Sequence, residues 1–122
     1  MSVFSEAELT YLAEGKLGRL ATIDPAGFPH VVPVGWQHNT ELDTIDIGGR
    51  NPEATQKFHN AQREPRVAFV VDDVLPPWKP RCVMIRGTAE TIPGGTRADP
   101  DGGAIIRITP EKILSWGLDD QT

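Results

Sequence analysis

The sequence predicts a mainly β fold: an antiparallel β-barrel with a few short helices. Three observations point there. Six or seven short runs are rich in β-branched residues, eleven prolines and twelve glycines punctuate them, and one longer helical stretch is inserted midway. A length of 122 residues suits a single domain with one core, spanning residues 1–122.

The elements follow in order. Ser5-Glu-Ala-Glu8 is a capping box, Leu9 and Leu12 share a face, and Gly15 suits a left-handed cap, so a helix is expected from about Ser5 to Glu14. Leu17 to Ile23 and Phe28 to Trp36 read as strands joined in a hairpin by Asp24-Pro-Ala-Gly27, a type I turn sequence. His38 to Asp43 reads as a turn and Thr44 to Gly48 as a third strand. A second helix is expected from Asn51 to Gln62, stopping before Glu64-Pro65. Arg66 to Asp72 is almost continuously apolar and is expected to be buried on both faces, with Asp72-Asp73 as a strand-end turn. Leu75 to Pro80 reads as a loop around Trp78, and Arg81 to Ile92 as a long strand bent at Gly87. Pro93 to Gly103, with two Gly-Gly pairs, reads as a polar loop. Ala104 to Thr109 is the last strand expected.

Composition narrows the function classes. No apolar run reaches the roughly 18 residues of a membrane span. The amino terminus is polar and acidic, unlike a signal peptide. Cys82 is the only cysteine, so no internal disulfide is possible, and a reducing cytoplasmic location is expected. The net charge is −5, which argues against a nucleic-acid surface. Residues 50–86 nevertheless hold seven of the twelve Lys and Arg against four acidic residues. That local excess points to a site for a small anion.

The most informative stretch lies at the start of that window. Thr44-Ile-Asp-Ile-Gly-Gly49 is a β run ending in two glycines, followed by Arg50, Asn51 and Pro52, with Lys57 about two helical turns on. Glycines permit close backbone approach, and a helix start offers unpaired N–H groups and a positive dipole end. Together they form a phosphate cradle that is neither a dinucleotide fingerprint nor a P-loop.

Other chemistry is sparse. His30, His38 and His59 lack metal-ligand spacing, and no metal is expected. Cys82 reads as a small core residue rather than a nucleophile. His30 either touches a ligand or is an idle strand residue. Trp36, Trp78 and Trp116 either pack or stack on a ring. No catalytic acid–base set is evident, as suits an enzyme whose cofactor carries the chemistry.

The order of parts resembles the split-barrel flavin-binding superfamily of pyridoxamine 5′-phosphate oxidase, within it the actinobacterial branch that uses the deazaflavin coenzyme F420. The resemblance rests on Leu17-Gly-Arg-Leu-Ala-Thr-Ile23, Gly27-Phe-Pro-His-Val-Val-Pro-Val34, Thr44 to Gly49, Lys57, Glu64-Pro-Arg-Val-Ala-Phe69, Arg86-Gly-Thr-Ala89 and Ile113-Leu-Ser-Trp-Gly117. It implies a split antiparallel β-barrel, binding the 8-hydroxy-5-deazaflavin cofactor F420 or, alternatively, FMN. It implies that Val32, Pro33, Val34, Ile47 and Gly48 line the ring, and that Arg50, Thr55, Gln56 and Lys57 hold the anionic tail. Arg63, Arg66 and Arg81 would extend the basic groove. A homodimer is implied, with cofactor sites at the interface and Trp78, Arg81 or Trp116 reaching in from the partner.

The oxidase carries basic residues on its second strand, where this chain reads His30-Val-Val-Pro-Val-Gly35. The oxidase's pyridoxal-phosphate-binding segment is not found after Trp116. Vitamin B6 oxidation is therefore not expected. The resemblance implies instead hydride transfer between the deazaflavin and an unsaturated small molecule. The alternatives are an FMN oxidase or electron carrier of the same fold, and a cofactor-free binding protein.

Overall fold

In the computed structural model, which describes residues 2–94 and 103–118, strand alternation sets which side of each strand is buried. The first helix, α1 (Glu6–Leu12), starts at Ser5, whose hydroxyl accepts from the Glu8 amide while the Glu8 carboxylate accepts from the Ser5 amide at 2.8 Å. The other Glu8 oxygen accepts from the Ser115 hydroxyl at 2.6 Å, so the cap also fastens α1 to the last strand. Strands β1 (Gly18–Ile23) and β2 (Pro29–Val34) form the expected hairpin. Asp24 closes its turn by accepting from the amides of Ala26, Gly27 and Phe28.

Seven strands make one antiparallel sheet. After β3 (Gln37–Asn39) and β4 (Thr44–Ile47) come β5 (Arg66–Leu75), β6 (Lys79–Ile92) and β7 (Ile105–Trp116), in the order β2-β1-β5-β6-β7-β4-β3. The two edge strands, β2 and β3, are joined by Gly35 and Trp36 alone. A link that short requires the sheet to curl until its edges meet, which is the split barrel. Leu20, Phe69, Val71, Val83, Ile85, Ile45, Ile47, Ile106 and Ile108 fill the interior, each at most 1% exposed.

Several expectations are corrected. Residues 37–39 form a strand rather than a turn, pairing with β4 from Gln37↔Asp46 to Asn39↔Thr44. The second helix is divided. Asn51 takes a left-handed φ of 47°, Pro52–Ala54 make one turn of 3₁₀ helix, and Thr55 returns to extended backbone. The α-helix proper, α2 (Gln56–Arg63), begins there with Thr55 as its cap. β5 is sealed on one face only: Val67, Phe69 and Val71 point inward, while Ala68 and Val70 are half-buried on the outside. Asp72 and Asp73 lie within the strand, opposite Cys82 and Arg81. The expected loop around Trp78 is a tight turn between β5 and β6. The last strand continues through Pro110 to Trp116, because a bulge opposite Gly87 absorbs the proline. Most of the polar loop expected from Pro93 to Gly103 lies outside the described residues.

Gly87 has to be glycine, since a Cβ there would lie 2.3 Å from the Thr109 carbonyl oxygen. No helix among the described residues is long and apolar enough to cross a membrane.

A buried cation fastens α1 to the β5–β6 hairpin. Arg81, 6% exposed, donates to Asp73 at 2.7 and 2.9 Å and to Glu14 at 3.0 and 3.1 Å, and its guanidinium sits 4.7 Å from the Tyr11 ring centroid. The Tyr11 hydroxyl donates to Asp73 at 2.8 Å. Hydrogen bonds from Arg81, then those from Tyr11 and Lys16, hold the Asp73 carboxyl well below its usual range. Burial and the bond to Asp73 push the Tyr11 phenol up. A depressed carboxylate stabilises the fold above its unfolded value of roughly 4 and loses that contribution as pH falls. Arg81→Leu should cost about 2–4 kcal/mol at pH 7, under the loss for a wholly buried pair because Glu14 and Asp73 keep some solvent. The wild-type urea midpoint should hold steady from about pH 7 to 5 and drop below about 4. A shallower drop in Arg81→Leu is the expected signature, the remainder coming from carboxylates such as Asp46 that Arg81 does not touch.

Candidate cofactor site

The sequence-derived residues divide by strand parity. Val34 and Ile47 are 5% and 1% exposed, with side chains inside the core, and Val32 packs against it. They cannot offer side chains to a ring outside the barrel, because they share the inward face with Leu20 and Ile106. Pro33 is exposed on the opposite side of β2. Gly48 lines a groove of about 370 Å³ where β2 passes into β3, together with Gly35, Trp36, Gln37, Asp46, Gly49 and Ile105. Trp36, which the sequence left open between packing and stacking on a ring, forms a wall while its Nε1 donates to the Lys16 carbonyl at 2.7 Å.

Beyond Gly48 the chain supplies cations. Gly49 adopts a φ of 134°, Arg50 is exposed and Lys57 is half-buried. Neither cation forms an ion pair among the described residues. Because α2 starts at Gln56, Lys57 sits in its first turn rather than two turns along it. Thr55 takes the Phe58 amide, leaving the amides of Gln56 and Lys57 open toward an anion. The Thr55 hydroxyl itself is occupied, donating to the Pro52 carbonyl at 2.5 Å. Gln56 donates to Asn60 at 2.7 Å, and Asn60 donates to the buried Thr22 hydroxyl at 3.0 Å. The anion-holding set with free side chains therefore shrinks to Arg50 and Lys57.

The supposed basic extension is not free. Arg81 is held by Glu14 and Asp73 inside the protein. Arg66 makes a bidentate pair with Glu64, and Arg63 donates to the Ile23 carbonyl. Asp46, beside Gly48, accepts from Arg107 at 3.0 Å through both oxygens. Burial pushes its carboxyl up, but bonds from Arg107, Asn39 and Thr44 outweigh that and hold it below its usual range. This pair was missed because Asp46 and Arg107 are far apart in sequence and meet only through the β4–β7 pairing.

Trp78 and Trp116 are 75% and 52% exposed. Trp116 stands opposite Cys82 and lines a second groove of about 340 Å³ with Val70, Val74, Met84 and Arg81. That groove shares no residue with the one at Gly48.

One buried side-chain polar atom outside both grooves is unsatisfied. His30 Nδ1 on β2 is buried without a partner, the single such side-chain atom among the described residues. Leaving a buried polar group unpaired costs about 1–3 kcal/mol, so a ligand that bonds to it gains that amount. Glycines beside a groove, two unpaired cations and open helix amides fit a cofactor with a ring and a phosphate tail.

The family model described as pyridoxamine 5′-phosphate oxidase matches residues 4–117. The chain belongs to that family. It is 43% identical over 120 residues to the 5a,11a-dehydrotetracycline/5a,11a-dehydrooxytetracycline reductase of Streptomyces rimosus, covering 95% of this chain and 84% of the relative. By that kinship this family member is an oxidoreductase. Its fold is shared with the FAD binding protein from Mycobacterium smegmatis (TM-score 0.69, 21% identity, 95% of this chain and 97% of that one). It is shared too with an F420 reductase (TM-score 0.63, 22% identity, 82% and 90%).

Cys82 is 4% exposed on the groove side of β6, and burial, with the nearby Asp72 charge, pushes its thiol up to about 11. Its thiolate fraction at pH 8 is therefore small. Iodoacetamide should label the native protein at least about tenfold more slowly than the urea-unfolded protein at that pH, as read by mass spectrometry.

Proposed function

We propose that this protein is a cytoplasmic homodimeric reductase that uses coenzyme F420 to reduce an activated double bond in a planar small molecule. Two observations support the reading: 43% identity to a reductase over nearly the whole chain, and two cations left unpaired beside the open amides of α2. The S. rimosus relative is named for reducing a dehydro compound, one short of two hydrogens. A conjugated polycyclic acceptor is the corresponding substrate class for this chain.

Arg50, Lys57 and the first-turn amides of α2 would hold the phosphate. Gly48 and Gly49 would let the backbone pass close to the cofactor, and Pro33 with the backbone of β2 would support the ring. A reduced deazaflavin held there would supply the hydride, with a proton from solvent completing the reduction of the double bond. The protein's contribution is to hold donor and acceptor about 3–3.5 Å apart and keep water out.

The likeness to an FAD binding protein favours one other reading, FMN in the same barrel. Titration with each cofactor, followed by fluorescence, separates the two. Micromolar deazaflavin binding and enone reduction without oxygen uptake are expected. Yellow protein that consumes oxygen on reduction and ignores the deazaflavin would establish the FMN reading instead.

Lys57→Ala should weaken cofactor binding about 10- to 150-fold, matching a charge-assisted bond of roughly 1.5–3 kcal/mol. Thermal stability should hardly change. Unaltered affinity would put the anion elsewhere.

The dimer reading draws on the outer face, where Leu114 and Trp116 are 40% and 52% exposed next to Val70 and Met84. Such a patch suits an isologous interface in which one subunit's Trp116 groove meets its partner's cofactor. Sedimentation should show a dimer, and a monomer that binds the cofactor tightly would eliminate the shared site.

A further inference from the structure

A groove of about 610 Å³ crosses the outer face of β1, β5, β6 and β7, away from Gly48 and Lys57. Its floor is low at the centre, where Ala21 pairs with Ala68 and Gly87 lies beside them, with Ile23 at one margin. Ala68 in turn stands opposite Arg86, and Arg86 directly opposite Lys112.

Two like charges at directly opposed positions of an antiparallel pair repel. Neither Arg86 nor Lys112 forms an ion pair among the described residues. Of the other charges on the groove, Arg66 and Glu64 pair with each other, while Glu111 accepts from the Thr88 hydroxyl and keeps its negative charge, one against the two free cations. The groove therefore carries a net positive charge over a low apolar floor.

We infer that this groove binds a planar, apolar anion, its ring system lying on Ala21, Ala68 and Gly87 and its acidic group meeting Arg86 and Lys112. A flat ring covers small side chains without the steric cost that a branched or bulky ligand would meet at the same floor. An ionised edge relieves the repulsion between the opposed cations. The volume accommodates two to four fused rings, since ligand pockets of roughly 300–1,000 Å³ hold molecules of drug size. This site is separate from the anion cradle of α2, with which it shares no lining residue.

The probe is 8-anilino-1-naphthalenesulfonate, a fused aromatic sulfonate that fluoresces when bound, with neutral N-phenyl-1-naphthylamine as its uncharged counterpart. Both are titrated into the intact protein at the concentration where its oligomeric state has been measured. In Arg86→Gln/Lys112→Gln the sulfonate should bind at least about tenfold more weakly, while the neutral probe changes less than about twofold. Both positions are exposed, so the variant should fold, and an unchanged melting temperature checks it. Ala68→Leu, which raises the floor, should weaken both probes. Lys57→Ala should leave sulfonate binding unaltered. Equal sulfonate affinity in the doubly substituted protein would overturn the inference. So would displacement of the probe by the deazaflavin or FMN, or binding confined to dissociated monomer.

Discussion

Gly35 and Trp36 carry the chain from one edge of the sheet to the other, and the barrel depends on that passage. Strands β2 and β3 are neighbours in sequence but lie at opposite ends of the strand order. A flat sheet of seven strands at about 4.8 Å spacing would separate them by nearly 30 Å, far beyond the reach of two residues. Curling is therefore a requirement of connectivity. Trp36 pins the bend, bonded to the Lys16 carbonyl and set edge-on to Phe69 at 5.6 Å between centroids. Gly18 makes room beneath, since a Cβ there would come within 2.5 Å of the Phe69 ring. The same bend walls the groove at Gly48, so one packing cluster both closes the barrel and shapes the candidate site.

Electrostatics divides the cations into two populations. Arg81 and Arg107 are built into the structure, each sharing two hydrogen bonds with a carboxylate. Arg50, Lys57, Arg86 and Lys112 form no such pair among the described residues and lie at groove margins or at the head of α2. In an acidic protein, unpaired cations gathered at a few places concentrate the local field for anions. A positive residue count across residues 50–86 did not reveal this division, because it weighs a buried, paired arginine like a free one.

The fold was largely legible in the sequence because its signals are local. The capping box at Ser5, the Asp24 turn, the bend at Gly87 and the alternation of β1 and β2 each act within a few residues, and each appears in the structure. Tertiary context was not legible. A three-residue strand at Gln37 carries no periodicity of its own and exists because β4 offers an edge. Asn51-Pro52 resembled a helix start, but the stronger cap at Thr55 took that position. In the candidate site, residue type singled out Gly48, Arg50 and Lys57, and the structure sets Gly48 on a groove and leaves both cations without an ion pair among the described residues. Val34 and Ile47 were misjudged because the direction of a side chain depends on which face of the strand closes the core.

The bulge at Glu111 shifts the phase of β7. Before it, even-numbered residues such as Ile106 and Ile108 face the interior; after it, Ile113 does. One strand thus follows two frames of alternation, and a single inserted residue joins them. A ladder that ran on regularly through Glu111, with no bulge, would turn Lys112 and Leu114 toward the core and Ile113 toward solvent, exchanging the two surfaces over the final third of the strand. Pro110, which cannot donate to a ladder, marks where the frames meet. The bulge thus behaves like a splice junction: the numbering of β7 changes frame across it, while the inner and outer surfaces of the strand run on unbroken.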